Sequence, residues 1–354
     1  MKKSKHSKKR NTAVKVIGII LLIIAIIILG IYVAINTYIN SKLDKLKFET
    51  ITDNIEELGI NKENETNEMA TYRNIALLGL DSKYDSYDTA YRTDCIMIAS
   101  INEKTSEVQL YSIYRDTYVQ MGLDGVTLMD KINHAYYNGV ENTLKTINTN
   151  LDLNITEYVI VDFNAVVDLV DSVNGIDIEI DSEELKYINS YIKDVSKVTG
   201  YTAKQITKTG MQHLNGVQAV AYCRIRYTEG YDYKRTERMR EVLEKVMDKI
   251  KRCSITEINS ILDTMLPEIR TNISAKEIKS LIPQALKFNI SSSFGWPYRT
   301  KGVWMRGDFF GPAATLESNV KQLHQEVYGQ ADYEVPQNIK EISDKIVKET
   351  GVKE

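Results

Sequence analysis

The longest apolar run in the chain comes early. Residues 16–35 read VIGIILLIIAIIILGIYVAI without a charge, and twenty residues of helix rise about 30 Å, the thickness of a hydrocarbon core. The pattern predicts a membrane-spanning helix. A cleaved signal peptide has a shorter apolar stretch of about 7–15 residues and a small-residue cleavage site, and no such site follows here. Residues 36–70 are polar with a weak helical period and read as a stalk. From Tyr72 the period changes to strands: NIALLGL, CIMIASI and VQLYSIY, the last two close enough for a hairpin. A helix around 136–150, a strand in EYVIVDF, a helix in NAVVDLVDSV and a short strand in IDIEI follow. The stretch 203–222 reads as a loop and short helix, and 231–252 as a long amphipathic helix with Val242, Val246 and Ile250 on one stripe. Helices continue through 255–287, GWPYRTKGVWMRGDFFG has strand and turn character, and helices close the chain at about 313–327 and 337–350. Such alternation predicts an α/β/α sandwich around a central mixed sheet, preceded by one transmembrane helix.

Charge adds a direction. Lys2, Lys3, Lys5, Lys8, Lys9, Arg10 and Lys15 precede the apolar run, and the positive-inside rule keeps such a cluster in the cytoplasm. Everything after about residue 36 is then expected outside the cell. The whole chain carries −3, so the part beyond those seven basic residues carries −10, which is −3 less 7. An acidic ectodomain lacks the broad basic surface that nucleic acid requires, whereas the basic tail suits anionic membrane lipid. Cys95, Cys223 and Cys253 lack metal-ligand spacing and are read as core thiols, with one disulfide left open.

Within that acidic chain, YCRIRYTEGYDYKRTERMR gathers Arg224, Arg226, Arg235, Arg238 and Arg240 around Asp232. A guanidinium is a planar fork that matches phosphate with two parallel hydrogen bonds, so several together imply a polyanion such as pyrophosphate. Interleaved Glu237, Glu241 and Glu244 offer a plainer account of Arg238 and Arg240, as members of a solvated, salt-bridged helix face. That account does not reach Arg224 and Arg226, which alternate with Cys223 and Ile225 and are expected to project from one side of an extended segment. Arg224, Arg226 and Arg235 are therefore the candidate anion ligands.

The strand pattern brings further candidates to the same place. NIALLGL ends at Asp81, RTDCIMIASI begins with Arg92 and Asp94, and VQLYSIYRD returns to Arg115 and Asp116. If these strands are antiparallel neighbours, Asp81, Arg92, Asp94 and Arg115 share one sheet edge. Asp81 alone reads as a turn residue, and Asp94 with Arg92 as a surface pair. Their convergence favours a Mg²⁺ site instead, because Mg²⁺ takes one or two carboxylates and completes its shell with substrate oxygens and water.

The strings NIALLGLDSK, RTDCIMIASIN, LYSIYRDTYVQ, KINHAYYNG, VDFNAVVDLVDSVNGIDIEI and LNGVQAVAYCRIRYTEGYDYKRTERMREVL, in this order, resemble the LytR-CpsA-Psr family of bacterial envelope proteins over roughly residues 72–252. The resemblance implies transfer of a glycopolymer, such as teichoic acid or capsular polysaccharide, from a polyprenyl-pyrophosphate carrier to peptidoglycan. It implies Asp81 and Asp94 on the metal side, Arg92, Arg115, Arg224, Arg226 and Arg235 at the pyrophosphate, Asp232 between them, and Lys131 at a further polar position. Asp94 and Arg115 are the residues closest to the chemistry on this reading. Met239 stands where the family usually has Gln, and Cys95 where it often has Thr. The expected organisation is a cytoplasmic tail (1–15), a span (16–35), a stalk (36–70), a catalytic core (71–252) and a C-terminal helical extension that completes or packs on the core (253–354). A hydrolase using water as acceptor, or a non-catalytic envelope regulator, would present the same residues.

Overall fold

The computed structural model describes residues 37–80, 92–285 and 287–353. The chain divides into two units, residues 1–45 and 46–354. In the first, residues 37–43 are helical (α1). The expected span over 16–35 lies outside the described residues, and among the described residues no helix is long and apolar enough to cross a membrane.

The second unit is built on a seven-stranded mixed sheet. Its strands are β1 (Lys47–Phe48), β2 (Tyr72–Leu80), β3 (Thr93–Asn102), β4 (Glu107–Ile113), β7 (Glu157–Val161), β10 (Arg270–Thr271) and β11 (Asn289–Trp296). They lie in the order β1-β10-β7-β2-β3-β4-β11. The central β2, β3 and β4 are antiparallel, while β7 runs parallel to β2 and β11 parallel to β4. Three two-stranded ribbons stand apart from it. They are β5 (Tyr118–Leu123) with β6 (Val126–Lys131), β8 (Ile176–Ile180) with β9 (Gly210–Leu214), and β12 (Val303–Met305) with β13 (Asp308–Phe310).

Alternation along the strands divides the core. Ile96 and Ile98 turn to one face of β3, where they meet α2 (Gly139–Leu151), α9 (Leu316–Tyr328) and α10 (Gln337–Thr350). Met97, Ala99 and Ile101 turn to the other, where Met239 and Leu243 of α6 (Tyr231–Ile250) and Ile278 of α8 (Ala275–Ala285) cover them. Helices thus lie on both faces, as the alternating pattern predicts. A separate apolar cluster joins α3 (Phe163–Ser172), α4 (Ser182–Thr199), α5 (Gly216–Arg224), α6 and α7 (Ile255–Met265) with β8.

Two segments depart from the sequence-based expectation. Most of the expected stalk is part of the domain: β1 joins the sheet, and Leu58, Ile60 and Met69 are buried in the main core. Buried side-chain amides hold this segment, with Asn148 donating to the Leu58 carbonyl (2.9 Å) and Asn64 to that of Asp152 (2.8 Å). The helix α4 had no counterpart in the expected elements. It starts at a capping box of Asp181 and Glu184, buries Ile188, Ile192 and Val195, and ends at a left-handed Gly200. The C-terminal region completes the sheet through β10 and β11 and covers the main core with α9 and α10.

Candidate functional site

The antiparallel register of β2, β3 and β4 pairs Leu80 with Thr93 and Met97 with Ser112. The start of β3 therefore lies beside the residues that follow β4. There Arg115 donates from Nη1 to Asp94 Oδ1 at 2.6 Å. Arg226, two residues beyond the end of α5, places Nη2 3.2 Å from Asp94 Oδ2. Arg235, on the second turn of α6, donates to the Asp94 carbonyl at 2.8 Å and holds Nη1 3.5 Å from Oδ2. Asp232 closes the ring: its Oδ1 lies 3.0 Å from Arg235 Nε, 3.4 Å from Arg115 Nε and 3.9 Å from Arg226 Nε. Its place in the first turn of α6 also suits a carboxylate, because the helix N-terminus is electropositive.

These groups attract one another but do not satisfy one another. Among the described residues Arg115 Nε, Arg235 Nε and Asp232 Oδ1 are all buried without an aligned hydrogen bond, although they lie within ion-pair distance. Leaving such groups unmade is costly, on the order of 1–3 kcal/mol each. Burial alone would raise the Asp94 carboxyl, but Arg235, Arg115 and Arg226 outweigh it and hold the group at about 2. Burial pushes the Arg235 guanidinium down, against Asp232 and Asp94. For Arg115 burial acts in the same sense, yet Asp232, Asp94 and Asp116 prevail and raise it.

The remaining candidates divide. Lys131 reaches the ring indirectly, 3.5 Å from Asp116 and 2.7 Å from Asp308, while Asp116 Oδ2 lies 3.7 Å from Arg115 Nε. Arg92 donates to the Tyr137 hydroxyl (2.8 Å), and Arg224 lies over the Phe163 ring at 4.8 Å with Nη1 buried and without a hydrogen-bond partner among the described residues. Asp81 lies outside the described residues. Asp116, expected at this edge beside Arg115, is found there and links Arg115 to Lys131, whereas sequence reasoning missed Asp308, which no local spacing connects to the site.

Three expectations about the arginine segment need correction. Arg224 and Arg226 do not share an extended strand, because α5 runs through Arg224 and its C-cap is Ile225. Burial still alternates, with Cys223 and Ile225 inside, since the helix end and the following turn reproduce that contrast. Arg238 is not on a solvated face. It is 1% exposed, with Nε on Glu184 at 2.8 Å, Nη1 on the Ile225 carbonyl at 3.0 Å and Nη2 on Thr228 at 2.8 Å. It ties α4 and the α5–α6 turn to α6. Arg240 is likewise buried, against Tyr114 and Glu237.

The sequence matches the LytR_cpsA_psr family over residues 31–322. The chain belongs to this family. It is 31% identical over 237 residues to the polyisoprenyl-teichoic acid–peptidoglycan teichoic acid transferase TagT of Bacillus subtilis (strain 168), covering 65% of this chain and 70% of that protein. It is 29% identical over 210 residues to the enzyme of that type called TagU in Enterococcus faecalis (strain ATCC 700802 / V583), covering 58% of this chain and 63% of the relative. Among solved structures, TagT bound to LI-WTA superposes with a TM-score of 0.58 at 26% identity, over 76% of this chain and 94% of TagT.

Against the pattern of the LytR_cpsA_psr family, the two departures have local consequences. Met239, in the usual Gln position, packs between two apolar clusters and adds nothing polar to the ring. Cys95 sits across the strand pair from Gly79, where an added Cβ would stand 2.9 Å from its own. Burial pushes the Cys95 thiol up to about 12, and all three cysteines are free. Among the described residues no group of three or more His, Cys, Asp or Glu side chains is disposed to hold a metal ion. An all-protein cage is not what Mg²⁺ needs, and the orphaned Asp232 Oδ1 beside ionised Asp94 is a donor set that fits an ion completed by phosphate oxygens.

Proposed function

We propose that this chain is a membrane-anchored phosphotransferase that moves a glycopolymer from a polyprenyl-pyrophosphate carrier to peptidoglycan. One observation carries the reading: Arg115, Arg226 and Arg235 converge on Asp94, and two of their buried Nε–H groups have no aligned acceptor among the described residues. A diphosphate supplies the missing acceptors and the negative charge together. The names of the transferase relatives and the LI-WTA carried by TagT support the same substrate class.

A sugar hydroxyl of peptidoglycan attacks the phosphorus that bears the glycan. The new P–O bond forms, the bond to the bridging oxygen breaks with its electron pair going to the departing polyprenyl monophosphate, and the hydroxyl proton passes to that phosphate through solvent. The arginines act by orientation and by stabilising charge on the phosphoryl oxygens, which is most of what such a transfer requires. Asp94, ionised down to about pH 2, is too weak a base to govern proton removal near neutrality; it holds the three guanidiniums in register. Asp94 and Asp232, with Asp81 as the further carboxylate that the family resemblance implies, would hold Mg²⁺, which would supply further neutralisation of the diphosphate. Residues 16–35 anchor the chain, with the basic tail inside and the domain outside.

The test is to incubate the purified full chain with a lipid-pyrophosphate-linked glycan and peptidoglycan oligomers, with and without Mg²⁺. A covalent glycan–peptidoglycan product that requires Mg²⁺ is expected. Donor binding with no product at any Mg²⁺ concentration would identify a binding protein instead.

A further inference from the structure

We infer that the pocket behind Tyr114 and Tyr233 is the acceptor subsite, receiving a sugar ring of peptidoglycan against the tyrosines and a stem-peptide carboxylate at Lys301 and Lys353. This rests on the transferase reading above. The pocket has a volume of about 550 Å³, and Tyr114, Tyr233, Tyr298, Arg299, Lys301 and Lys353 line it. That is room for a disaccharide-sized ligand, well within the range of small-molecule sites.

Its position relative to the arginine ring is the main argument. Tyr114 and Tyr233 pack edge to face, with centroids 4.5 Å apart, and each adjoins a member of the ring in sequence, Arg115 and Asp232. Backbone bonds fix this wall. Tyr114 donates its N–H to the Trp296 carbonyl (2.9 Å), and the Gly311 N–H bonds the Asp116 carbonyl (2.8 Å). The pocket therefore shares a wall with the ring but takes no residue from it. Such an arrangement suits in-line phosphoryl transfer, in which attacking and leaving oxygens lie on opposite sides of phosphorus and the acceptor takes a place apart from the leaving group.

The lining matches the acceptor's chemistry. Aromatic faces accommodate the C–H face of a sugar, and the tyrosine hydroxyls offer polar contacts at the edge. Lys301 and Lys353 are exposed, and no carboxylate among the described residues pairs with either. Two such ammonium groups beside edge-to-face tyrosines suit a saccharide that carries carboxylates.

The experiment uses the full chain with Lys301→Glu/Lys353→Glu, and Lys104→Glu as a control at the β3–β4 turn, the far end of β3 from Asp94. KM for peptidoglycan oligomers and KM for the lipid-linked donor are measured separately, and equilibrium binding of a fluorescent muropeptide is measured without donor. Reversing both charges should raise the acceptor KM and weaken muropeptide binding about ten-fold, with the donor KM within two-fold of the parent, about the spread expected for the control. An unchanged acceptor KM with unchanged muropeptide binding would overturn the assignment. So would a rise confined to the donor KM, which would seat the donor glycan in this pocket. If the parent chain makes no transfer product, the function proposed above fails, and the binding measurement still decides the pocket.

Discussion

Replacing Asp94 by Asn removes one charge from the centre of three guanidiniums at almost constant volume. The carboxyl is held at about 2 against an ordinary 3.8, nearly two units, and each unit is worth about 1.4 kcal/mol. Asp94 therefore contributes about 2 kcal/mol to stability at neutral pH, as an order of magnitude. The cost of the substitution lies between that figure and the roughly 3–5 kcal/mol typical of breaking a buried pair, because Arg115, Arg226 and Arg235 are left facing one another. The sign with pH follows from the depressed value: the contribution is fully present above about pH 4 and is lost as pH falls through about 2. Urea denaturation of both proteins between pH 7 and pH 2.5 measures it. The gap should be constant from pH 7 to 5 and shrink below pH 4. Inorganic pyrophosphate should stabilise the Asn variant more than the parent, by filling the vacancy with negative charge. A gap that stays constant down to pH 2.5, or a variant as stable as the parent at pH 7, would refute the electrostatic account of Asp94.

Other outcomes follow from individual contacts. Arg115→Ala and Arg226→Ala should each abolish transfer with the fold retained, and the Lys variants should recover only part of it, because an ammonium keeps the charge but loses the fork; product formation with circular dichroism checks both. Arg238→Ala should cost about 3–5 kcal/mol in urea denaturation by stranding buried Glu184, whereas Arg238→Met with Glu184→Leu should regain most of that loss. Gly295→Ala would place a Cβ 2.0 Å from the Tyr114 hydroxyl, so a loss of about 1–3 kcal/mol in the same assay is expected, together with a raised acceptor KM.

The parts of this molecule that the sequence made legible are those governed by short-range periodicity. Alternation in CIMIASI and VQLYSIY identifies β3 and β4, and their antiparallel return is enough to bring Asp94 to Arg115 before any coordinate is known. The expected stalk misleads because its buried residues, Leu58, Ile60 and Met69, are isolated apolar positions among acids and amides. They are held inside by hydrogen bonds from Asn64 and Asn148, which are long-range in sequence. Arg238 misleads for a related reason. On a helix with interleaved glutamates it reads as solvated, and only the packing of α4 across α6 supplies Glu184 and seals the pair. The helix α4 itself did leave a signal, an Asp-x-x-Glu box ahead of Ile188, Ile192 and Val195. Asp308 left none, since it approaches Lys131 only through the fold of the β12–β13 ribbon.

If the arginine ring grips a diphosphate as proposed, the bond broken is the one from the glycan-bearing phosphorus to the bridging oxygen. Mass spectrometry of the lipid released during a single round of transfer tests this most directly. Polyprenyl monophosphate is expected in one-to-one ratio with a phosphodiester-linked glycan on peptidoglycan, with both products lost together in Arg226→Ala. Release of polyprenyl pyrophosphate, with the glycan joined to its acceptor without phosphorus, would contradict the proposal, because the attack would then have fallen on sugar carbon and not on the phosphorus the ring is built to hold.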